Sequence, residues 1–198
     1  MKATTNTTRT IKTANSCLVL DVIRNTESVT IEEIVHTARL SRPTVLSIID
    51  DLLQRNIIVR AGLGESNVGR QPVLYAINTS QHFAIGIDFE FPPVHLVVTD
   101  LSGAIRYQQN WNCNFDMQKS EIIQFLVDGI QQAMDDLHLS FENIICIGLG
   151  IPGTVDIKKN MSETISRIPE WNKTPLSEIL SKQFNVPIFV RNDAHLMS

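Results

Sequence analysis

The sequence predicts an α/β chain in two units: an N-terminal winged helix-turn-helix, then a mixed α/β domain. Three observations carry this. Between residues 30 and 78, two helix patterns flank a tight turn and run into two β-type runs joined by a Gly-rich loop. From residue 81, three strand-like runs, one amphipathic helix and two more strands follow, an order that folds as helices against a sheet. The 198 residues, 43% hydrophobic and 19% charged, suit one or two globular domains.

The elements follow in chain order. Residues 1–13 are Thr-rich, polar and aperiodic, and read as a flexible tail. Residues 14–80 read as the winged helix-turn-helix. In 14–24, Leu18, Val19, Val22 and Ile23 recur at helical spacing. Thr30 opens a second helix with Glu33 three residues on, a capping box. Its inner face is Ile31, Ile34, Val35 and Ala38, and Arg39-Leu40 is the turn. Ser41 caps a third helix, Pro43 sits in its first turn, and Val45, Ile48, Ile49, Leu52 and Leu53 form its buried stripe. The runs 57–60 and 73–77 are strands joined by AGLGESNVGRQP, the wing.

Residues 81–198 read as a partial α/β domain. Runs 83–89, 94–99 and 104–111 are strands, and 119–137 is an amphipathic helix. Run 144–149 is a buried strand ending in Gly150-Ile151-Pro152-Gly153. A short helix at 175–184 and a strand at 186–190 lead to Asn192-Asp193.

Net charge is −4, unevenly spread. Residues 1–80 hold nine Lys/Arg against seven Asp/Glu; residues 81–198 hold eight against fourteen. The basic end is the helix-turn-helix end, so charge permits DNA binding without demanding it. No apolar run approaches the roughly 18 residues that span a bilayer, and MKATTNTTRTIKTANS lacks a signal-peptide core. A cytoplasmic location without membrane contact is expected. Cys17, Cys113 and Cys146 are far apart among apolar residues and read as reduced, buried thiols. No spacing points to a metal site, and no cofactor is expected.

On the third helix, Ser41, Arg42, Thr44 and Ser47 face away from the apolar stripe near its N-terminus. Short hydroxyls and an Arg suit phosphates and base edges, and the first turns of a recognition helix are the part that reaches bases. Asp50 and Asp51 would repel phosphate farther along. The same face could instead be solvated in a module that contacts proteins. Arg60 and Arg70 flank the wing, and Arg70 suits a narrow minor groove, or is a plain solvated loop residue.

In the second unit, Gly86-Ile87-Asp88-Phe89-Glu90-Phe91-Pro92-Pro93 leaves the first strand. Phosphate loops need glycines and free N–H groups. Pro92 and Pro93 remove two donors, and Phe89 and Phe91 are expected to fill the space. Gly150–Asp156 is a strand end with a rigid turn, either a ligand-approach site or an ordinary turn. Asn192-Asp193 suits polyol hydroxyls, or is a helix cap. Asp193 and His195 form only a faint acid/base pair; the remaining histidines read as structural.

Together these motifs resemble the ROK family (repressors, open reading frames and sugar kinases), over nearly the whole chain. LSRPTVLSIIDDLLQRNII and VGRQPVLYAIN are similar to the N-terminal region of its repressor branch. FAIGIDFE, VVTDLSG, IGLGIPGTVD, IPEWNKTPLSEIL and VPIFVRNDAH fall in the family's order. The resemblance implies a winged helix before the first lobe of an actin-like, sugar-kinase-like (ribonuclease H-like) domain. It implies that Asp193 matches the catalytic base of the kinases and Asn192 the sugar-binding amide. Gly153 and Thr154 fall at the sugar-facing turn, and Asp88 opens the phosphate loop.

The departures are Phe-Glu-Phe-Pro-Pro in place of Gly-Gly-Thr-like residues, and Arg191 and His195 around Asn-Asp. Family domains continue beyond this point with a further sugar site, a zinc cluster, an adenosine lobe and dimer contacts. The sequence is therefore expected to be a fragment; a half-domain acting alone is the alternative. The expected function is a DNA-binding regulator, a sugar-responsive repressor of carbohydrate genes. It would bind double-stranded operator DNA and a sugar or sugar-phosphate effector, and form a homo-oligomer at full length. The alternatives are an ATP-dependent sugar kinase with Asp193 as base, and a sugar- or protein-binding module that does not touch DNA.

Overall fold

The computed structural model describes residues 3–65, 69–89, 93–112, 117–165, 168 and 171–193, with backbone alone for 3–9. It divides into Met1–Gln81 and His82–Ser198.

In the first unit α1 (Ala3–Arg24), α2 (Ile31–Ala38) and α3 (Arg42–Gln54) precede an antiparallel pair, β1 (Ile58–Leu63) and β2 (Val73–Ile77). Val19 and Ile23, one turn apart on α1, enter a core with Val29, Ile34, Val45, Ile48, Ile49, Leu52, Ile58 and Tyr75. Val29 exchanges both backbone hydrogen bonds with Tyr75, at 2.9 and 2.8 Å, which ties the α1–α2 connection to β2. Buried Asn78 closes the hairpin: its Nδ2 donates to the Asn56 carbonyl at 2.9 Å.

Three expectations change here. The helix begins at Ala3, inside the segment expected to be a tail. Once Val19 and Ile23 anchor its last turns, each added residue only propagates a formed helix. Leu18 is half-exposed rather than core; Val19 and Ile23 are the buried residues of α1 among those described, with Leu20 and Val22 packed beside them. Cys17 is exposed, two residues and about half a turn from Val19. Cys146 is half-buried, with burial raising its thiol pKa. Cys113 lies outside the described residues.

The second unit opens with an antiparallel meander: β3 (Phe83–Asp88), β4 (Val94–Asp100) and β5 (Ile105–Trp111). Helix α4 (Lys119–Asp136) crosses to β6 (Ile144–Ile151), which pairs parallel with β3. A small antiparallel sheet, β7 (Thr154–Asp156), β8 (Met161–Thr164) and β9 (Asn172–Thr174), is inserted next. Then α5 (Leu176–Phe184) returns the chain to β10 (Ile188–Asn192), parallel to β6. The main sheet runs β10-β6-β3-β4-β5.

Alternation along the strands sends Phe83, Ile85, Ile87, Val94, Leu96, Val98, Ile147 and Leu149 into one core with Ile122, Leu126 and Ile130 of α4 and Leu180 and Phe184 of α5. The other register places Gly86 beside Val97 and Gly148, and Gly148 beside Phe189. That face is open, with Phe189 47% exposed. The small sheet was not foreseen; strands of three or four residues carry too little alternation to register as a pattern. Asn160, in the β7–β8 turn, clamps β10: its amide donates to the Ile188 carbonyl and accepts from Val190 N at 2.7 Å.

Candidate nucleic-acid interface and ligand-facing turn

The helix-turn-helix is built by its caps. Thr30 N donates to Glu33 Oε2 at 2.8 Å, and Glu33 N donates to Thr30 Oγ1 at 3.3 Å. The backbone bond from Thr30 holds the Glu33 carboxyl below its usual pKa. Arg39 turns the chain with a left-handed backbone, φ 54°. Ser41 caps α3: its Oγ accepts from Thr44 N at 3.4 Å and lies 2.8 Å from Thr44 Oγ1. Burial of Val45, Ile48, Ile49 and Leu52 leaves Ser41, Arg42 and Ser47 exposed and Thr44 half-buried.

Three of these candidates carry interactions that the sequence did not disclose. Ser41 and Thr44 bond each other. Arg42 donates through Nη1 to Glu32 on α2, with both side chains more than half exposed. The bond from Arg42 lowers the Glu32 pKa below the usual carboxylate range. Glu32 was missed because the pairing depends on how α2 and α3 meet, which no spacing rule encodes. Asp51 pairs with Arg55 at 3.4 Å, and Asp50 is exposed. In the wing, Arg60 lies on β1 and Arg70 follows Gly69, both exposed; residues 66–68 lie outside the described set.

In the second unit the parallel strands β3, β6 and β10 end together: Asp88 pairs with Gly150 and Asn192 with Ile151. Ligands of open α/β sheets bind outside such strand ends. Asn192 belongs to β10 itself rather than following it, and its Nδ2 donates to the Gly153 carbonyl at 2.7 Å. Gly153 adopts φ 127°, and Thr154 Oγ1 lies 2.7 Å from Thr164 Oγ1. Asn192, at the end of β10, is therefore fastened to the turn that holds Gly153 and leads into β7 at Thr154. Asp193 instead lines a cavity of about 430 Å³ on the open sheet face, together with Asp88, His95, Gly148, Phe189 and Arg191. Arg191 donates to the Val190 carbonyl at 2.8 Å, and His95 Nδ1 lies 2.8 Å from Asn110 Oδ1.

One expectation about the loop after Asp88 is corrected. Phe89 does not fill the space there: its ring is fully buried and stacks on Trp171, centroids 6.5 Å apart. Strand alternation puts residue 89 on the core side with Ile85 and Ile87. Its N–H is used all the same, donating to the Gly150 carbonyl at 2.7 Å. Pro93 is half-buried. Phe91, Pro92 and His195 lie outside the described residues.

The ROK family profile matches residues 84–198. The chain belongs to the ROK family. A xylose repressor from Caldicellulosiruptor bescii is 26% identical over 185 residues, 93% of this chain and 46% of that protein. A putative xylose repressor from another Caldicellulosiruptor species is 29% identical over 187 residues, with 93% and 46% covered. A solved ROK family transcriptional regulator, described as a homologue of the E. coli MLC protein, superposes with a TM-score of 0.74 at 16% identity. It covers 92% of this chain and 46% of that one. That likeness shows the fold: α/β, a winged helix-turn-helix with the first part of a ROK domain. The chain spans about half the length of these relatives. Among the described residues, no helix of this ROK protein is long and apolar enough to cross a membrane.

Proposed function

We propose that this ROK chain belongs to a sugar-responsive transcriptional repressor that binds double-stranded operator DNA in the cytoplasm. The observation that carries the reading is the capped α3 with its apolar stripe buried. It keeps Ser41, Arg42 and Ser47 exposed over its first two turns, with Thr44 between them. These residues are the proposed major-groove contacts, with Arg70 in the minor groove. Relatives named xylose repressors support the same direction, and xylose is the first effector to try.

Gly153, Thr154, Asn192 and Asp193 are the proposed sugar contacts. An effector there acts by preferring one arrangement of the full-length protein, most simply a homo-oligomer, over another. Against the kinase reading stands the Phe89 N–H, spent on Gly150 at the strand end where a phosphate would need donors.

The test is fluorescence anisotropy with promoter fragments from carbohydrate operons, with and without xylose, across a salt series. Each phosphate contact should contribute a log–log salt slope of about −0.9. Xylose should weaken binding, and Arg42→Ala should abolish fragment preference. Binding that ignores both salt and sequence would sink the proposal. So would sugar-dependent ADP release that is lost in Asp193→Asn.

A further inference from the structure

We propose that Glu32 is a positioning residue for base readout: by holding Nη1 of Arg42, it presents the side-on Nε/Nη2 edge of the guanidinium to a guanine in the major groove. This rests on the DNA-binding reading above. Arg42 stands in the first turn of α3 and Glu32 in the first turn of α2, so the pair bridges the two helices of the helix-turn-helix. The bond uses Nη1. Nη1 is the terminal nitrogen on the side of Cδ, so the edge that keeps both donors whichever Nη1 hydrogen is engaged is the parallel pair Nε–H and Nη2–H. Two parallel donors match the O6 and N7 acceptors of guanine, the commonest specific contact of an arginine with DNA.

The carboxylate also decides which partner Arg42 suits. An unpaired arginine would serve a phosphate as well as a base. Beside Glu32 the pair is close to neutral, so it gains little from releasing counterions at the backbone, and the carboxylate itself repels phosphate. The guanine edge carries acceptors without a full charge and takes the free donors at no such penalty. Anchoring also removes rotamer freedom from a long side chain before DNA arrives. A gain in discrimination over raw affinity follows.

The experiment is in-vitro selection from a randomised 20-bp duplex pool (about two helical turns) with the purified wild-type, Glu32→Gln, Arg42→Ala and double-variant proteins. Wild type should recover a consensus with a fixed guanine that Arg42→Ala no longer selects. In Glu32→Gln, preference for that guanine should fall about tenfold. Its affinity for an unrelated duplex should rise, with a salt slope steeper by about one contact. Replacing the guanine by 7-deazaguanine should weaken wild type about tenfold and Glu32→Gln under about threefold. The double variant should match Arg42→Ala. Thermal melts unchanged by Glu32→Gln exclude loss of fold. A consensus that survives Glu32→Gln with its guanine preference intact overturns the role of Glu32 alone. A wild-type pool with no consensus overturns the DNA-reading proposal and this one with it.

Discussion

Asn192 donates its Nδ2–H to the carbonyl of Gly153 at 2.7 Å, fastening the end of β10 to the turn after β6. The turn has no slack. Gly153 holds φ 127°, and a Cβ there would stand 2.0 Å from the carbonyl oxygen of Thr164, a backbone atom that cannot rotate away. Gly153→Ala should therefore destabilise the second unit by about 2–4 kcal/mol, and Asn192→Ala by about 1–2. Both tryptophans, Trp111 and Trp171, lie in this unit, so fluorescence during urea unfolding reads it selectively. A Gly153→Ala midpoint equal to wild type would show that the turn yields.

Gly129 on α4 is a second position where a hydrogen is required. A Cβ would meet the Trp111 ring at 2.3, 2.6 and 2.8 Å, and that ring is wedged edge-on against Phe125 at 5.6 Å. Helix propensity alone favours Ala over Gly by about 1 kcal/mol. Overpacking costs about 1–3 kcal/mol and should win, so Gly129→Ala should destabilise. Trp111→Leu should cost stability alone yet relieve Gly129→Ala, giving a favourable coupling of about 1 kcal/mol or more in a double-mutant cycle. Circular dichroism must be the probe, since the variant removes a tryptophan. Additive effects would place the ring elsewhere.

These two glycines show where sequence reading stops. The helix-turn-helix was legible because its signals are local: Thr30 with Glu33, Ser41 with Pro43, and an apolar stripe at helical period. The strands of the main sheet were legible because Phe83–Ile87 and Val94–Val98 alternate. The pairings that shape the candidate sites are not local. Glu32 with Arg42, Asn192 with Gly153 and Asn160 with Val190 join residues 10, 39 and 30 positions apart. Short polar runs such as Asn172–Thr174 become strands only because a neighbour offers a ladder. Residue types nominated Asn192 and Asp193 together, but the parallel register at Ile151 sends Asn192 to the turn and Asp193 to the cavity.

Asp100 predicts an acid limb of stability. Its carboxylate is buried, which works against ionisation. Ser102, Arg106 and the 102 and 104 amides outweigh that cost, and its pKa falls below the ordinary value. Arg106 Nη2 approaches Oδ2 at 2.6 Å, and Ser102 N approaches Oδ1 at 2.8 Å. A folded pKa below the unfolded one means stability that is fully present above about pH 4 and lost as pH falls through the folded value. Asp100→Asn should cost about 1–3 kcal/mol at neutral pH, the lower end if water screens the half-exposed Arg106. It should also flatten the decline in stability below about pH 4. A parallel pair of stability–pH curves for wild type and variant would assign the acid limb to other carboxylates.

Ser41 allows fold and DNA contact to be separated in one residue. Its Oγ caps α3, so Ser41→Ala should cost about 0.5–1 kcal/mol, the lower end because the bond to Thr44 N is long at 3.4 Å. Aspartate is as good a cap as serine, and its charge suits a helix N-terminus. Ser41→Asp should therefore melt at or above the wild-type temperature. The same carboxylate would stand where the DNA backbone must approach. Ser41→Asp should then weaken binding to a promoter fragment that wild type binds by about tenfold or more, with one fewer contact in the salt slope. Ser41→Ala should weaken it far less. Stability and affinity moving in opposite directions at Ser41→Asp is the expected result. If Ser41→Asp binds like wild type, the N-terminus of α3 does not face DNA and the contact lies elsewhere on the protein.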